Sequence, residues 1–127
     1  MCNKESGVII LGHGSRYPQG RDVIVQIAER YQKQHPESIV RYGFVEMSEP
    51  RLETVLDELV SEKLKKIIVV PLFLAFGHHI AKDLPERMQQ AAERHPNVNL
   101  ITTQPIGADP LLCDIIQARI ADSTTDC

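Results

Sequence analysis

The stretch Val8-Ile9-Ile10-Leu11-Gly12-His13-Gly14-Ser15-Arg16 decides how the rest of the chain is interpreted. Its apolar half is unbroken, which is typical of a parallel strand that is covered on both faces of a sheet. The run stops at Gly-His-Gly, so the strand is predicted to place the side chain of His13 at the rim of the sheet. The two glycines beside this histidine would let a large ligand approach the backbone.

Four pairs of strand and helix are predicted along the chain. Each apolar run is followed by a segment whose apolar residues recur at helical spacing, as Val23, Ile27 and Tyr31 do in the first of them. The predicted strands cover residues 7–11, 39–45, 67–74 and 98–102, and the predicted helices begin near Asp22, Pro50, Asp83 and Leu111. This alternation predicts a doubly wound α/β fold, in which a four-stranded parallel sheet carries helices on both faces and ligand-binding loops at the carboxyl ends of its strands.

Length and composition restrict the class of protein. The chain, residues 1–127, is expected to form a single domain with its core between about residues 7 and 121. Its content of 43% hydrophobic and 24% charged residues is that of a globular protein. The net charge of -3 and the lack of a basic block argue against nucleic acid or a membrane surface as a partner. Three widely spaced cysteines and no membrane-spanning run predict reduced thiols and a cytoplasmic location.

Polar side chains that could carry chemistry follow the first three predicted strands, with His13 after the first and Glu46 and Glu49 after the second. The third strand is followed by the adjacent pair His78 and His79. Because the carboxyl ends of parallel strands meet at one edge of a sheet, these residues are expected to line one cleft. Imidazole and carboxylate together favour Co²⁺, Ni²⁺, Fe²⁺ or Zn²⁺ over Mg²⁺ or Ca²⁺. The same groups suit proton transfer near neutral pH, so both roles stay open at this point.

Other polar residues have simpler interpretations. His35 and His95 each precede a proline at the end of a predicted helix, where an imidazole is typically a solvated, stabilising residue rather than a ligand. Glu49 could likewise stabilise the start of the next helix through its negative charge alone. Arg16 and Lys82 lie near the predicted ligand-binding edge, where they would attract a ligand that carries several carboxylates.

Several short motifs resemble, in their order and spacing, the short sirohydrochlorin chelatases, which are single-domain class II chelatases of the archaeal cobalt and nickel type. These motifs are Gly12-His13-Gly14-Ser15-Arg16, Ser48-Glu49-Pro50, Val70-Pro71-Leu72-Phe73-Leu74, Gly77-His78-His79, Asp83-Leu84-Pro85 and Pro105-Ile106-Gly107. The resemblance extends over nearly the whole chain. It implies a chelatase-like fold, which corresponds to one flavodoxin-like half. Two features depart from the family pattern: a histidine-rich insertion is missing, and the adjacent His78 makes the second histidine ligand ambiguous.

The resemblance implies a lyase that inserts Co²⁺ or Ni²⁺ into sirohydrochlorin, on the route to cobalamin or to coenzyme F430, the nickel tetrapyrrole of methanogenesis. In such a protein His13 would be the catalytic proton acceptor and a metal ligand, and His79 would be the second metal ligand. The residues implied to contact the tetrapyrrole are Glu49, Leu74, Ala75, Phe76, Gly77, His78 and His79. The metal ion is a substrate, so no tightly bound cofactor is expected, and the remaining partner would be a second copy of the chain in a homodimer.

Three alternatives remain open at the level of sequence. Insertion of Fe²⁺ would make the protein a sirohydrochlorin ferrochelatase for siroheme, whereas a metal or tetrapyrrole carrier would use the same histidines without turnover. Histidine phosphatases also place a histidine after their first strand, but within Arg-His-Gly. Here Gly12 occupies the position of that arginine, and the loss of a phosphate-binding side chain disfavours this third alternative.

Overall fold

The computed structural model describes residues 6–123, in which four parallel strands alternate with four helices. The strands are β1 (Ser6–Gly12), β2 (Ile39–Phe44), β3 (Lys66–Pro71) and β4 (Asn99–Thr102). The helices are α1 (Pro18–Gln34), α2 (Leu52–Ser61), α3 (His78–Arg94) and α4 (Leu111–Ser123). The strand order is β2-β1-β3-β4 and every neighbouring pair is parallel, which confirms the predicted α/β architecture.

Helices cover both faces of the sheet, so the doubly wound arrangement is also confirmed. On one face, α2 and α3 pack against alternate residues of the two central strands, which are Ile9, Leu11, Ile67 and Val69. On the other face, Ile24 and Ala28 of α1 pack in a cluster that includes Val8 and Ile10 of β1. Because successive side chains of a strand point to opposite faces, the unbroken apolar run of β1 is needed to fill both cores.

The last helix, α4, takes little part in this core. None of its residues is buried, and Leu111, Ile115 and Ile116 are all exposed. These three side chains form what is called below the α4 surface. Neither α4 nor any other helix within residues 6–123 has the length and apolar character needed to cross a membrane.

Two helices begin earlier than predicted. Helix α1 begins at Pro18 rather than near Asp22, because proline is well suited to the first position of a helix. Helix α3 begins at His78, so Asp83 is an interior residue and not the predicted cap. The helix continues through Pro85 because its buried residues keep helical spacing across the proline. These residues are Ile80, Leu84, Met88 and Ala91.

The end of β3 and the start of α2 also differ from the prediction. Strand β3 ends at Pro71 rather than at Leu74, and Pro71 is its last residue in register with β1, opposite Leu11. Pro50 does not lie in the first turn of α2 but precedes it, in a cis peptide bond with Glu49. The carbonyl of Pro50 accepts a hydrogen bond from the backbone N–H of Phe44 at 3.0 Å, which keeps this segment beside β2.

Candidate active site

The loops that follow β1 and β2 are joined through their backbones. The N–H of Val45 donates to the carbonyl of Gly12 at 3.0 Å, and the N–H of Glu46 donates to the carbonyl of His13 at 3.1 Å. The His13 loop is therefore fixed directly beside the residue that carries a half-buried carboxylate. This contact confirms that the first two strands deliver their loops to one place at the edge of the sheet.

Gly14 is required by this contact between loops. Its φ of +110° lies in a region that residues with a side chain rarely adopt. A Cβ atom at this position would lie 1.5 Å from the carbonyl oxygen of Glu46. The glycine thus permits close approach of another loop, which differs from the sequence-based interpretation that it leaves room for a ligand.

A buried serine adds a second link between the same two loops. The hydroxyl of Ser48 donates to the carbonyl of Ser15 at 3.0 Å and accepts a hydrogen bond from the N–H of Ser15 at 3.0 Å. Ser48 is the only buried polar residue among residues 6–123, and this pair of bonds satisfies its hydroxyl. Sequence reasoning missed this role, although Ser48 was part of the Ser-Glu-Pro motif.

His13 is exposed and lies beside the segment that connects β3 to α3. Its ring centroid is 6.0 Å from that of Phe73, and the ring of Phe73 is 5.9 Å from that of Phe76, both in edge-to-face geometry. Such contacts orient the rings as well as burying apolar area. The structure thus brings His13 next to the segment that leads into His78 and His79.

His78 and His79 lie in the first turn of α3 and are exposed. Both line a cavity of about 300 Å³, together with Lys82, Asp83 and Glu86 of the same helix. The earlier start of α3 therefore places the two histidines on a regular helix rather than in a loop. Their positions are set by the packing of α3 against the sheet.

Glu49 lies in different surroundings from the histidine pair. Its carboxylate is exposed and 3.6 Å from the guanidinium of Arg51, and its backbone carbonyl accepts a hydrogen bond from Arg21 at 3.0 Å. It lines a separate cavity of about 350 Å³ that also includes Ser15 and Arg16. Glu49 is thus surrounded by cationic side chains at the start of α1.

The other residues predicted to bind substrate form an exposed strip before α3. Leu74, Ala75 and Gly77 are exposed and Phe76 is partly buried. Leu74 also lines two apolar cavities of about 460 and 380 Å³ beside α4. Within residues 6–123, no group of three or more His, Cys, Asp or Glu side chains is placed to hold a metal ion.

The fold and the site define a small doubly wound α/β protein that carries histidines at the carboxyl edge of its two central strands. The family model of CbiX matches residues 7–123 of this chain. Over 124 residues the chain is 35% identical to the sirohydrochlorin cobaltochelatase of Methanosarcina acetivorans, covering 92% of this chain and 95% of that relative. The chain belongs to the CbiX family.

Some relatives are much longer than this chain. The sirohydrochlorin ferrochelatase of Priestia megaterium is 32% identical over 119 residues, which cover 94% of this chain but 45% of that protein. The crystal structure of the sirohydrochlorin chelatase SirB from Bacillus subtilis subspecies spizizenii in complex with cobalt matches with a TM-score of 0.81 and 30% identity, over 92% of this chain and 50% of that one. The chain spans about half the length of these two proteins.

The contact between Gly14 and Glu46 predicts the effect of adding one methyl group. Gly14→Ala should lower the free energy of unfolding by at least about 2 kcal/mol, because the new Cβ requires a strained φ and displaces the carbonyl of Glu46. Gly77→Ala is a matched control, since no atom lies within 4 Å of its Cβ position, and it should cost no more than about 1 kcal/mol. Urea denaturation measures the free energy of unfolding of both variants. Equal stability of the two would contradict the account of this loop.

Proposed function

We propose that the protein is a sirohydrochlorin chelatase that inserts Co²⁺ into sirohydrochlorin, with Ni²⁺ as an alternative metal substrate. The observation that carries this proposal is the position of His13 beside the segment that leads from β3 into His79, with ring centroids of His13 and Phe73 6.0 Å apart. Membership of the CbiX family over residues 7–123 supports it. So does the match over 95% of the length of a relative named as a sirohydrochlorin cobaltochelatase.

The chemistry of metal insertion fits the residues at this edge. A divalent cation enters the macrocycle only when two pyrrole N–H protons leave, so the site needs a base and ligands that release the metal. In the proposal His13 and His79 bind the metal first. As the metal passes into the ring, His13 is released and accepts one pyrrole proton, and water takes the other. The half-buried Glu46, joined to His13 through the backbone, supplies a carboxylate close to the same place. Few protein ligands leave coordination positions open for the incoming ring.

Substrate binding is proposed for the exposed strip that precedes α3 and for the cationic side chains near α1. The strip combines apolar Leu74 and Phe76 with the exposed backbone of Ala75 and Gly77, which suits contact with a flat macrocycle. Sirohydrochlorin is acidic, and Arg16 lines a cavity of about 350 Å³ at the start of the 17-residue α1. A guanidinium and a helix N-terminus both favour a carboxylate at this position.

Iron is the second candidate metal. It is favoured by one specific observation, the 32% identity over 119 residues to a protein named as a sirohydrochlorin ferrochelatase. Imidazole ligands accept Co²⁺, Ni²⁺ and Fe²⁺, so the donor atoms alone do not separate cobalamin, coenzyme F430 and siroheme as the product pathway.

We also expect the reaction to take place in the cytoplasm, where thiols stay reduced. Cys113 is free and exposed, which suits a reducing compartment. Cys2 and Cys127 lie outside the described residues, 6–123.

We further propose that the protein works as a homodimer that covers the α4 surface of each copy. An exposed patch of Leu111, Ile115 and Ile116 is unusual for a protein that stays a monomer. Relatives of twice the length supply the second argument, since the chain spans 50% of the cobalt-bound SirB and 45% of the ferrochelatase. A second copy of this chain would provide what the second half of those proteins provides.

The proposed activity predicts that purified protein accelerates insertion of Co²⁺ into sirohydrochlorin under anaerobic conditions. His13→Ala should reduce the rate at least about 100-fold, because a proton acceptor and a metal ligand are lost together. His35→Ala is the matched control: its imidazole lies at the other end of α1, beside Tyr31, and its rate should stay within about twofold of the wild-type rate. The change in the visible spectrum of the tetrapyrrole measures each rate.

The same assay separates the alternatives. Fastest insertion with Fe²⁺ would assign the protein as a ferrochelatase, and binding of metal or tetrapyrrole without acceleration would indicate a carrier. Hydrolysis of a phosphomonoester that depends on His13 would indicate a phosphatase. A protein that accelerates insertion of none of the three metals is not a chelatase.

The proposed dimer predicts a specific effect of charge on the α4 surface. Ile116→Glu should convert a dimer to a monomer, because a carboxylate would become buried between two apolar faces. Gln90→Glu places the same charge on an exposed position of α3 and should leave the dimer intact. Sedimentation equilibrium measures the mass of the wild-type protein and of each variant in solution. A wild-type monomer at assay concentration, or a dimer that persists in Ile116→Glu, would refute this interface.

A further inference from the structure

One guanidinium joins three elements of the fold behind the candidate site. Arg87 lies in α3, two turns after His79, and only 18% of its side chain is exposed. Its Nε and Nη2 donate to the two carboxylate oxygens of Glu53 in α2, at 2.6 and 2.8 Å. Its Nη1 donates to the carbonyl of Val45 at 3.1 Å and to Asp83 of α3 at 3.2 Å. The side chain thus connects α2, the end of β2 and α3.

These contacts reach the backbone that holds the His13 loop. Val45 and Glu46 donate hydrogen bonds to Gly12 and His13, respectively, so the carbonyl that Arg87 binds belongs to the same short segment. On the other side, Asp83 lines the cavity that contains His79. Arg87 therefore lies between the helix that carries one histidine and the loop that is bonded to the other.

We propose that Arg87 is a positioning residue that fixes the first turn of α3, and with it His79, relative to Glu46 and His13. This inference rests on the proposed function, since it concerns the histidines proposed as metal ligands. Arg87 itself contacts neither histidine in this network. Its effect on metal binding is indirect, through the placement of α3.

The chemistry of the contact explains why arginine is needed. The guanidinium is planar and presents its donors in a fixed fork, which matches both oxygens of Glu53 while Nη1 still reaches a carbonyl. A lysine ammonium is a point donor on a flexible stem and could satisfy only part of this set. The hydrogen bonds that Arg87 donates to the Glu53 carboxylate lower the pKa of Glu53 and raise the pKa of Arg87.

The same two helices are linked a second time at the far end of α3, which provides a control. There Asp57 of α2 contacts His95 at 2.8 Å and Arg94 at 3.5 Å, where α3 ends. This link does not include the loops that carry His13 and Glu46. If contacts between α2 and α3 served only stability, loss of either link would have the same effect on metal binding.

The test compares Arg87→Lys and Glu53→Gln with Asp57→Asn. Binding of Co²⁺ alone, followed by isothermal titration, should weaken at least about tenfold in the first two variants, as is typical for loss of groups that orient metal ligands. Their KM for Co²⁺ should rise by a similar factor, while the KM for sirohydrochlorin stays within about twofold. Asp57→Asn should leave Co²⁺ binding within about twofold of wild type. Urea denaturation and circular dichroism establish that each variant is folded.

The outcomes separate this inference from the proposed function. Unchanged Co²⁺ binding in Glu53→Gln, or equal weakening in Asp57→Asn, would refute the positioning role even in an active chelatase. Selective weakening in Arg87→Lys would support that role even if the wild type accelerated no metal insertion. Glu53→Gln keeps the shape of the side chain, but it removes the charge and replaces one of the two oxygens that accept from Arg87 with a donor NH2 group. It therefore decides the question if Arg87→Lys does not fold.

Discussion

Three backbone hydrogen bonds beyond the regular strands hold the candidate site together. They join Leu72 to Leu11 at 2.8 Å, Val45 to Gly12 at 3.0 Å and Glu46 to His13 at 3.1 Å. Each extends the pairing of neighbouring parallel strands past their ends, so that the loops leave the sheet side by side. Because backbone polar groups at such positions need partners, one loop cannot shift without breaking its bonds to the next. The backbone of each loop is therefore placed by the length of the ladder, and contacts such as that of His13 with Phe73 then orient the side chains.

The parts of this arrangement that depend on local pattern were predictable from the sequence. The apolar run before His13 had to be a doubly covered strand, since no other short element buries side chains on both faces. Alternation of such runs with segments of helical spacing required a parallel sheet, and a parallel sheet requires that its loops share one edge. The neighbourhood of His13, Glu46 and the segment before His79 follows from these rules alone.

The parts that the sequence did not predict depend on how the elements pack in the folded chain. Asp83 and Pro85 are residue types that often start a helix, but α3 begins earlier, at His78. Its buried residues have helical spacing on both sides of the proline. The network of Arg87 joins residues 34 and 42 positions away, and nothing in the local sequence distinguishes this arginine from a solvated one. Glu49 was expected beside the histidines, yet its surroundings are the arginines near α1.

The central claim is that the loop after β1 and the first turn of α3 bring two imidazoles to one metal ion. Anomalous diffraction at the cobalt absorption edge, from crystals of the protein grown with Co²⁺, tests it most directly. The account predicts one ion within about 2.1 Å of a ring nitrogen of both His13 and His79, with open positions on the side away from the sheet. Ions that contact only one of these histidines, or that bind elsewhere on the surface, would contradict it.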